Sequence, residues 1–308
     1  MSVPGGPVRR FGYRALGTRL DYLLHLRPAE WPIMAAHTAL GYVLAVGLAG
    51  VVRGAAIGPA ALGLALWVVC LNGGTLAINS AFDRDEGDVA YLRHPPPPPR
   101  RLFGFGLCLM LAGFAASLAL PRGYVAAYGI CLVLSLGYSV PPVRLKSVGG
   151  ADWVINMVGF GTLTPYAGWA STGRSLDLAH AVLLMAFCPL FASLYPLTQL
   201  YQVDEDARRG DRTLAVRLGP ARSLDAALAA CAIAFGLFAS ACFIAGWTTE
   251  HAGRWAALIV AALAWATVLV PWRRAARAWG PAAHERAMYW ALGAWAVTDL
   301  AVAASWGT

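Results

Sequence analysis

The residues best suited to do chemistry lie between Asn72 and Arg93, in the stretch NGGTLAINSAFDRDEGDVAYLR. Asn72, Thr75, Asn79, Asp83 and Glu86 follow one another at spacings of +3, +4, +4 and +3. On a helix that spacing gathers them into one stripe. A polar stripe on an apolar helix that ends in carboxylates needs a partner to offset its desolvation. A divalent cation such as Mg²⁺, which takes oxygen ligands and shares them with substrate phosphates, is such a partner. A second cluster answers the first in YPLTQLYQVDEDARRGDRTLAVRLG, from Tyr195 to Gly219. There Tyr195, Gln199, Gln202 and Asp206 recur at +4, +3 and +4, again one helix face, with Asp204, Glu205 and Asp211 around its end. Asp83, Asp85, Glu86 and Asp88 with Asp204, Glu205, Asp206 and Asp211 make up half of the 16 carboxylates. One carboxylate group at a helix end is commonly a solvated loop. Two, each prolonged into an apolar helix as a polar stripe, describe two metal sites flanking one diphosphate.

The elements that must position these groups are membrane helices. The chain of 308 residues is 58% hydrophobic and 13% charged, with a mean hydropathy of +0.57, roughly half the charged fraction of a soluble domain. Nine apolar segments, about 31–52, 56–82, 101–120, 123–141, 152–171, 177–202, 222–246, 252–271 and 285–305, each approach the ~20 residues that span a bilayer. They are read as one domain over 1–308, an all-α polytopic membrane protein. Residues 1–29 carry Arg9, Arg10, Arg14, Arg19 and Arg27, which predicts a basic N-terminal segment with a short interfacial helix and Trp31 at headgroup level. No cleavable signal peptide is expected, because the first long apolar run begins near Trp31 and is long enough to span.

With the N-terminus cytoplasmic, 20 of the 24 Lys and Arg fall on the inner side, and only Arg53, Arg122, Arg174 and Arg254 on the other. This asymmetry supports nine helices and puts both acidic clusters at the cytoplasmic face. The formal charge of +8 therefore reflects topology and contact with anionic lipid, not nucleic acid. The six cysteines lie in apolar segments without a CxxC pair and read as packing residues. His94 and the five prolines after it predict a stiff polyproline segment next to the first cluster.

NSAFDRDEGD (79–88) resembles the first aspartate-rich motif of the UbiA-type intramembrane prenyltransferase superfamily, and DEDARRGDRTLAVRLG (204–219) is similar to the segment holding its second. LRPAEWP (26–32) and GYSVPPVRLKSVGGADWVINMVGFGTLTPYAGW (137–169) agree with it. The resemblance implies nine transmembrane helices around a central lipid-accessible cavity, Mg²⁺, an isoprenyl diphosphate donor and a lipophilic, aromatic acceptor, in the plasma membrane of a bacterium. Two departures stand out. The superfamily's first motif places another Asp four residues after the NxxxD aspartate. Here that position is Gly87, with Asp85 and Asp88 on either side, and a helix ending near Gly87 turns Asp88 back into the site. In the second motif, DxxxD, the first position holds Gln202 when Asp206 is the last, leaving Asp204 or the amide to serve.

Carried onto this chain, the resemblance assigns Mg²⁺ to Asp83, Asp88, Asp204 and Asp206, with Asn79 orienting a ligand. It gives the diphosphate to Arg93, Arg144, Lys146 and Arg212. Tyr138, Tyr166 and Tyr195, with Gln199 and Gln202, line the prenyl pocket and shelter an allylic cation. Three rivals make different demands. A secondary transporter places its polar site at the membrane midplane on broken helices, whereas these acids lie at one face. A CDP-alcohol phosphotransferase carries a DGxxAR signature, absent here. A terpene cyclase of the same superfamily differs in the shape of its cavity, which the sequence leaves open. Asp299, in the last apolar segment, has no evident partner in the sequence.

Overall fold

The computed structural model describes residues 6–83, 92–210 and 213–307. These form helices and loops, with no β-strand among them. Two short helices, α1 (Pro7–Leu16) and α2 (Leu20–His25), precede the first long one. Nine rods follow: α3 (Trp31–Val52), α4 (Ile57–Asp83), α5 (Leu102–Ser117), α6 (Arg122–Ser139), α7 (residues 151–170), α8 (Leu178–Thr198), α10 (Leu214–Ile244), α11 (Thr249–Ala275) and α12 (Pro281–Trp306), with the short α9 (Val203–Arg209) between α8 and α10. Their positions agree with the apolar segments of the sequence to within a few residues at most ends, although α10 begins eight residues before the expected 222.

Six of the rods, α3, α4, α8, α10, α11 and α12, are long and apolar enough to cross a membrane. The other three have local reasons to fall short. The regular part of α5, 16 residues, rises about 24 Å, and flanking turns at 100–101 and 118–119 lengthen its path toward that of a ~30 Å hydrocarbon core. The polar residues Ser135, Tyr138 and Ser139 punctuate α6. In α7, Asp152 and Asn156 are followed by π-helical turns over Met157–Leu163.

Close backbone approach holds the rods together, as expected where lipid supplies no hydrophobic drive between helices. At the crossing of α3 and α7, a methyl on Gly41 would fall 1.7 Å from the Pro165 carbonyl oxygen, and one on Gly168 would fall 1.8 Å from that of Thr38. Gly74 of α4 and Gly106 of α5 meet in the same way, each within 3.0 Å of the other's carbonyl oxygen once a methyl is added. Polar side chains bridge the rods inside the bundle. Trp67 Nε1 donates to Thr164 Oγ1 (3.2 Å), which donates to the Gly159 carbonyl (3.0 Å) within the π turns of α7. The N-terminal helices clasp the loop after the first acidic cluster: the Arg9 guanidinium donates to the carbonyls of Arg93 (3.0 Å) and His94 (2.9 Å), and His25 meets that of Pro96 (3.1 Å).

Adding a methyl at the α3–α7 crossing forces two backbones apart, so Gly41→Ala and Gly168→Ala are each expected to cost about 3 kcal/mol or more. Thermal unfolding in detergent should show a clear drop in midpoint or loss of folded protein. Gly104→Ala, where a methyl meets nothing within 4 Å, should match the parent chain.

Candidate functional site

A cavity of about 320 Å³ lies between α3, α4, α6, α7, α8 and α12. One wall is the predicted polar stripe: Asn72, Thr75 and Asn79 of α4 all line it. The stripe is tied to α6, where the hydroxyls of Thr75 and Ser135 are 2.9 Å apart and Ser139 donates to the Asn79 amide oxygen. One turn beyond Asn79, Asp83 ends α4 and accepts from Lys146 Nζ and, at 3.5 Å, from Arg144 Nη2. The fold brings these bases back because α6 stops at Ser139 and the chain reverses through Arg144, whose φ is +32°, into the turn Leu145–Ser147. Asp83 thus sits half-buried in a basic bracket below the cavity.

The second cluster is built differently from the predicted stripe. The α-helical part of α8 ends at Leu194, tightens into a 3₁₀ turn over Tyr195–Thr198, and a new helix, α9, starts at Val203. Pro196, lacking an N–H, accounts for the break. Tyr195, Gln199, Gln202 and Asp206 therefore do not share one helix face. Tyr195 lines the cavity, and its hydroxyl meets that of Tyr138 at 3.1 Å. Gln199 does not line it: its amide donates to Asp152 Oδ2 (3.3 Å) and accepts from the Ala215 N–H (3.3 Å), stapling α7 to the start of α10. Gln202 lies half-buried at the start of α9, off the cavity wall. Tyr166 is also absent from the wall and packs near Gly123 at the start of α6, so it cannot shelter a cation there.

Asp206 is half-buried and accepts from Thr213 Oγ1 (3.4 Å), while Asp204 and Arg93 are exposed. Asp88 and Arg212 lie outside the described residues. Among the described residues no three carboxylates, histidines or cysteines converge. The described donors near the cavity mouth, Asn79, Asp83 and Glu30, offer carboxylate and amide oxygens, a set that suits Mg²⁺.

Four groups escaped the sequence reading. Arg27, left-handed at φ +49°, is 7% exposed and reaches the cavity mouth, where Nη2 donates to Ser80 Oγ (3.4 Å) and Nε has no partner. Glu30 lines the mouth beside it, and burial raises its carboxyl against the opposing pull of Arg27. At the second cluster, burial followed by the nearby Tyr289, Glu285 and Asp206 pushes the Tyr201 phenol up to about 12, with Arg27 opposing. Arg27 is thus bonded to α4 through Ser80 and opposes the shift at Tyr201. Deeper in, His37 lines the cavity with Nδ1 3.1 Å from Asp299 and Nε2 3.3 Å from the Gly161 carbonyl. That answers the question of Asp299's partner. An ionisable residue in an apolar helix was the one available signal, since nothing local links residues 37 and 299.

The sequence profile of the UbiA prenyltransferase family matches residues 34–293. Among solved structures, the chain is similar to a UbiA homolog from Archaeoglobus fulgidus bound to GPP and Mg²⁺, with a TM-score of 0.66 and 21% identity over 90% of this chain and 99% of the other. It is also similar to digeranylgeranylglyceryl phosphate synthase (TM-score 0.68, 13% identity, 94% and 99%) and to an apo UbiA homolog from Aeropyrum pernix K1 (0.59, 19%, 89% and 95%). At these identities the likeness is one of fold. No curated protein sequence matches the chain.

Removing His37 takes from Asp299 its partner within a membrane-spanning helix. His37→Leu alone should cost about 3–5 kcal/mol, read as a lower thermal midpoint in detergent. The double variant His37→Leu/Asp299→Leu should recover most of the loss, and a double variant no better than the single would show that the loss does not come from leaving Asp299 without its partner.

Proposed function

This chain belongs to the UbiA prenyltransferase family, and from that premise we propose that it is a Mg²⁺-dependent intramembrane prenyltransferase that ionises an isoprenyl diphosphate and passes the prenyl group to a lipophilic aromatic acceptor. The observation that carries the reading is the polar wall Asn72–Thr75–Asn79, which runs down a largely apolar cavity to Asp83 in its bracket of Lys146 and Arg144. It is an integral membrane protein by its six long apolar helices and its family. We propose that α5, α6 and α7 also span, giving nine helices with the N-terminus and both acidic motifs cytoplasmic, in line with the distribution of Lys and Arg.

Diphosphate leaves carbon only when its developing charge is offset. Bound Mg²⁺ supplies that offset as a Lewis acid on the phosphate oxygens. In this assignment Asp83, Asp88, Asp204 and Asp206 hold the metal, and Asn79, fixed by Ser139, orients a ligand. Lys146 and Arg144 already meet at a carboxylate and are placed to share an anion with it. With Arg93 and Arg212 they grip the leaving diphosphate. Arg27, whose guanidinium keeps a free Nε at the mouth, adds a further charge there. The prenyl chain enters between Phe160, Phe191 and Trp295. The bonded Tyr138–Tyr195 pair, with its ring faces, shelters the allylic cation until the acceptor attacks.

Asp83→Ala and Asp206→Ala are each expected to lower turnover by more than about 10³-fold while keeping the thermal transition of the parent in detergent, and chelation with EDTA should do the same to the parent. The assay supplies C10, C15 and C20 prenyl diphosphates with and without acceptor. A prenylated conjugate that depends on acceptor supports transfer. Rapid hydrocarbon from donor alone would reassign the protein as a cyclase. No diphosphate release at all would leave the transporter reading, and near-normal turnover by either variant would remove the two-cluster metal site.

A further inference from the structure

The inner part of the cavity is polar in one specific way. Asn72 is 4% exposed and lines the cavity, and its Nδ2 has no hydrogen-bond partner. A buried donor left unmade costs about 1–3 kcal/mol, so the site is complete only when a ligand or water brings an acceptor oxygen to it. His37 lines the same cavity, but both its ring nitrogens face acceptors, Asp299 at 3.1 Å and the Gly161 carbonyl at 3.3 Å. Both nitrogens are thus already engaged by the protein and neither is left for a ligand.

Arg27 is the one Lys or Arg among the described residues that line the cavity. It binds Ser80, eight residues along α4 from Asn72, or about 12 Å. Among the described lining residues, an anionic group held against Asn72 would therefore be buried with no counter-charge beside it, which is costly. A neutral hydroxyl or carbonyl oxygen would gain a hydrogen bond at no such penalty.

We infer that Asn72 marks the acceptor subsite, and that the acceptor is a neutral phenol or quinol whose oxygen accepts from Asn72 Nδ2, not an aromatic carboxylate. The inference rests on the prenyl-transfer reading above and names the substrate class for that site. The dimensions agree with it. A six-membered ring held through its oxygen at Asn72 reaches about one helical turn back toward Asp83, to the level of Thr75. That places its far edge on the path between the inner cavity and the diphosphate bracket. Trp67, Phe160 and Trp295 around it offer apolar faces for the ring.

The test is direct binding to the full chain in detergent by titration calorimetry, with 2-naphthol as the neutral probe and 2-naphthoate, which carries a carboxylate in place of the hydroxyl, as its anionic counterpart. The parent should bind 2-naphthol at least about tenfold more tightly than the carboxylate. Asn72→Leu should weaken 2-naphthol by about tenfold, the equivalent of one buried hydrogen bond, with little effect on the carboxylate. Asn72→Ala removes the donor without adding bulk and serves if the leucine variant does not fold. Equal or tighter binding of the carboxylate, or unchanged 2-naphthol affinity in both variants, would overturn the assignment. Because binding is read without turnover, the two proposals fail separately. A chain that shows the expected preference yet never releases diphosphate sinks prenyl transfer, and one that releases diphosphate without the preference sinks only the acceptor subsite.

Discussion

Inside a bilayer a polar side chain has only the protein to satisfy it, and the architecture of this chain follows from that constraint. The α4 stripe would be untenable on a helix facing lipid. It is kept because α6 returns Ser135 and Ser139 to it and because Lys146 and Arg144 close on Asp83. The same constraint explains the His37–Asp299 pair, which ties α3 to α12 and to the backbone of α7. Each tether converts a costly buried group into a link between rods. Together they hold open a polar-walled cavity that packing alone would fill.

Departures from regular helix occur where the cavity needs them. Both α4 and α7 contain π-helical turns, over Leu66–Asn72 and Met157–Leu163, a distortion frequently associated with functional sites. Within the turns of α7 the Gly159 carbonyl accepts from the Thr164 hydroxyl and the Gly161 carbonyl faces His37. In α4 they end at Asn72, the residue with the free donor. The break in α8 at Pro196 turns Tyr195 into the cavity and sends Gln199 outward to hold Asp152. The walls are thus shaped by backbone irregularity as much as by side-chain choice.

Close glycine contacts make this possible. At Gly41 with Gly168, and at Gly74 with Gly106, rods approach so nearly that no side chain fits between them. Such contacts fix the depth and rotation of α3 against α7 and of α4 against α5. The faces that bear Met34, His37, Asn72 and Phe160 then converge on one space.

Composition and periodicity by themselves determined that the chain is a bundle of apolar helices, where those helices lie, and that Asn72, Thr75, Asn79 and Asp83 share a face. These are local properties, set by hydropathy over about 20 residues and by the 3.6-residue turn. The second stripe was misread for a local reason too: its spacing is helical, but Pro196 and the 3₁₀ turn end the helix before Gln199. Tertiary structure alone decided which residues meet across the cavity. Asp299 finds His37 at a separation of 262 residues, Asp83 finds Lys146 at 63, and Tyr138 finds Tyr195 at 57, whereas Tyr166, equally plausible in sequence, packs elsewhere. Such pairings depend on how far each rod is rotated and how closely it is packed, and periodicity along one helix holds no record of its neighbour.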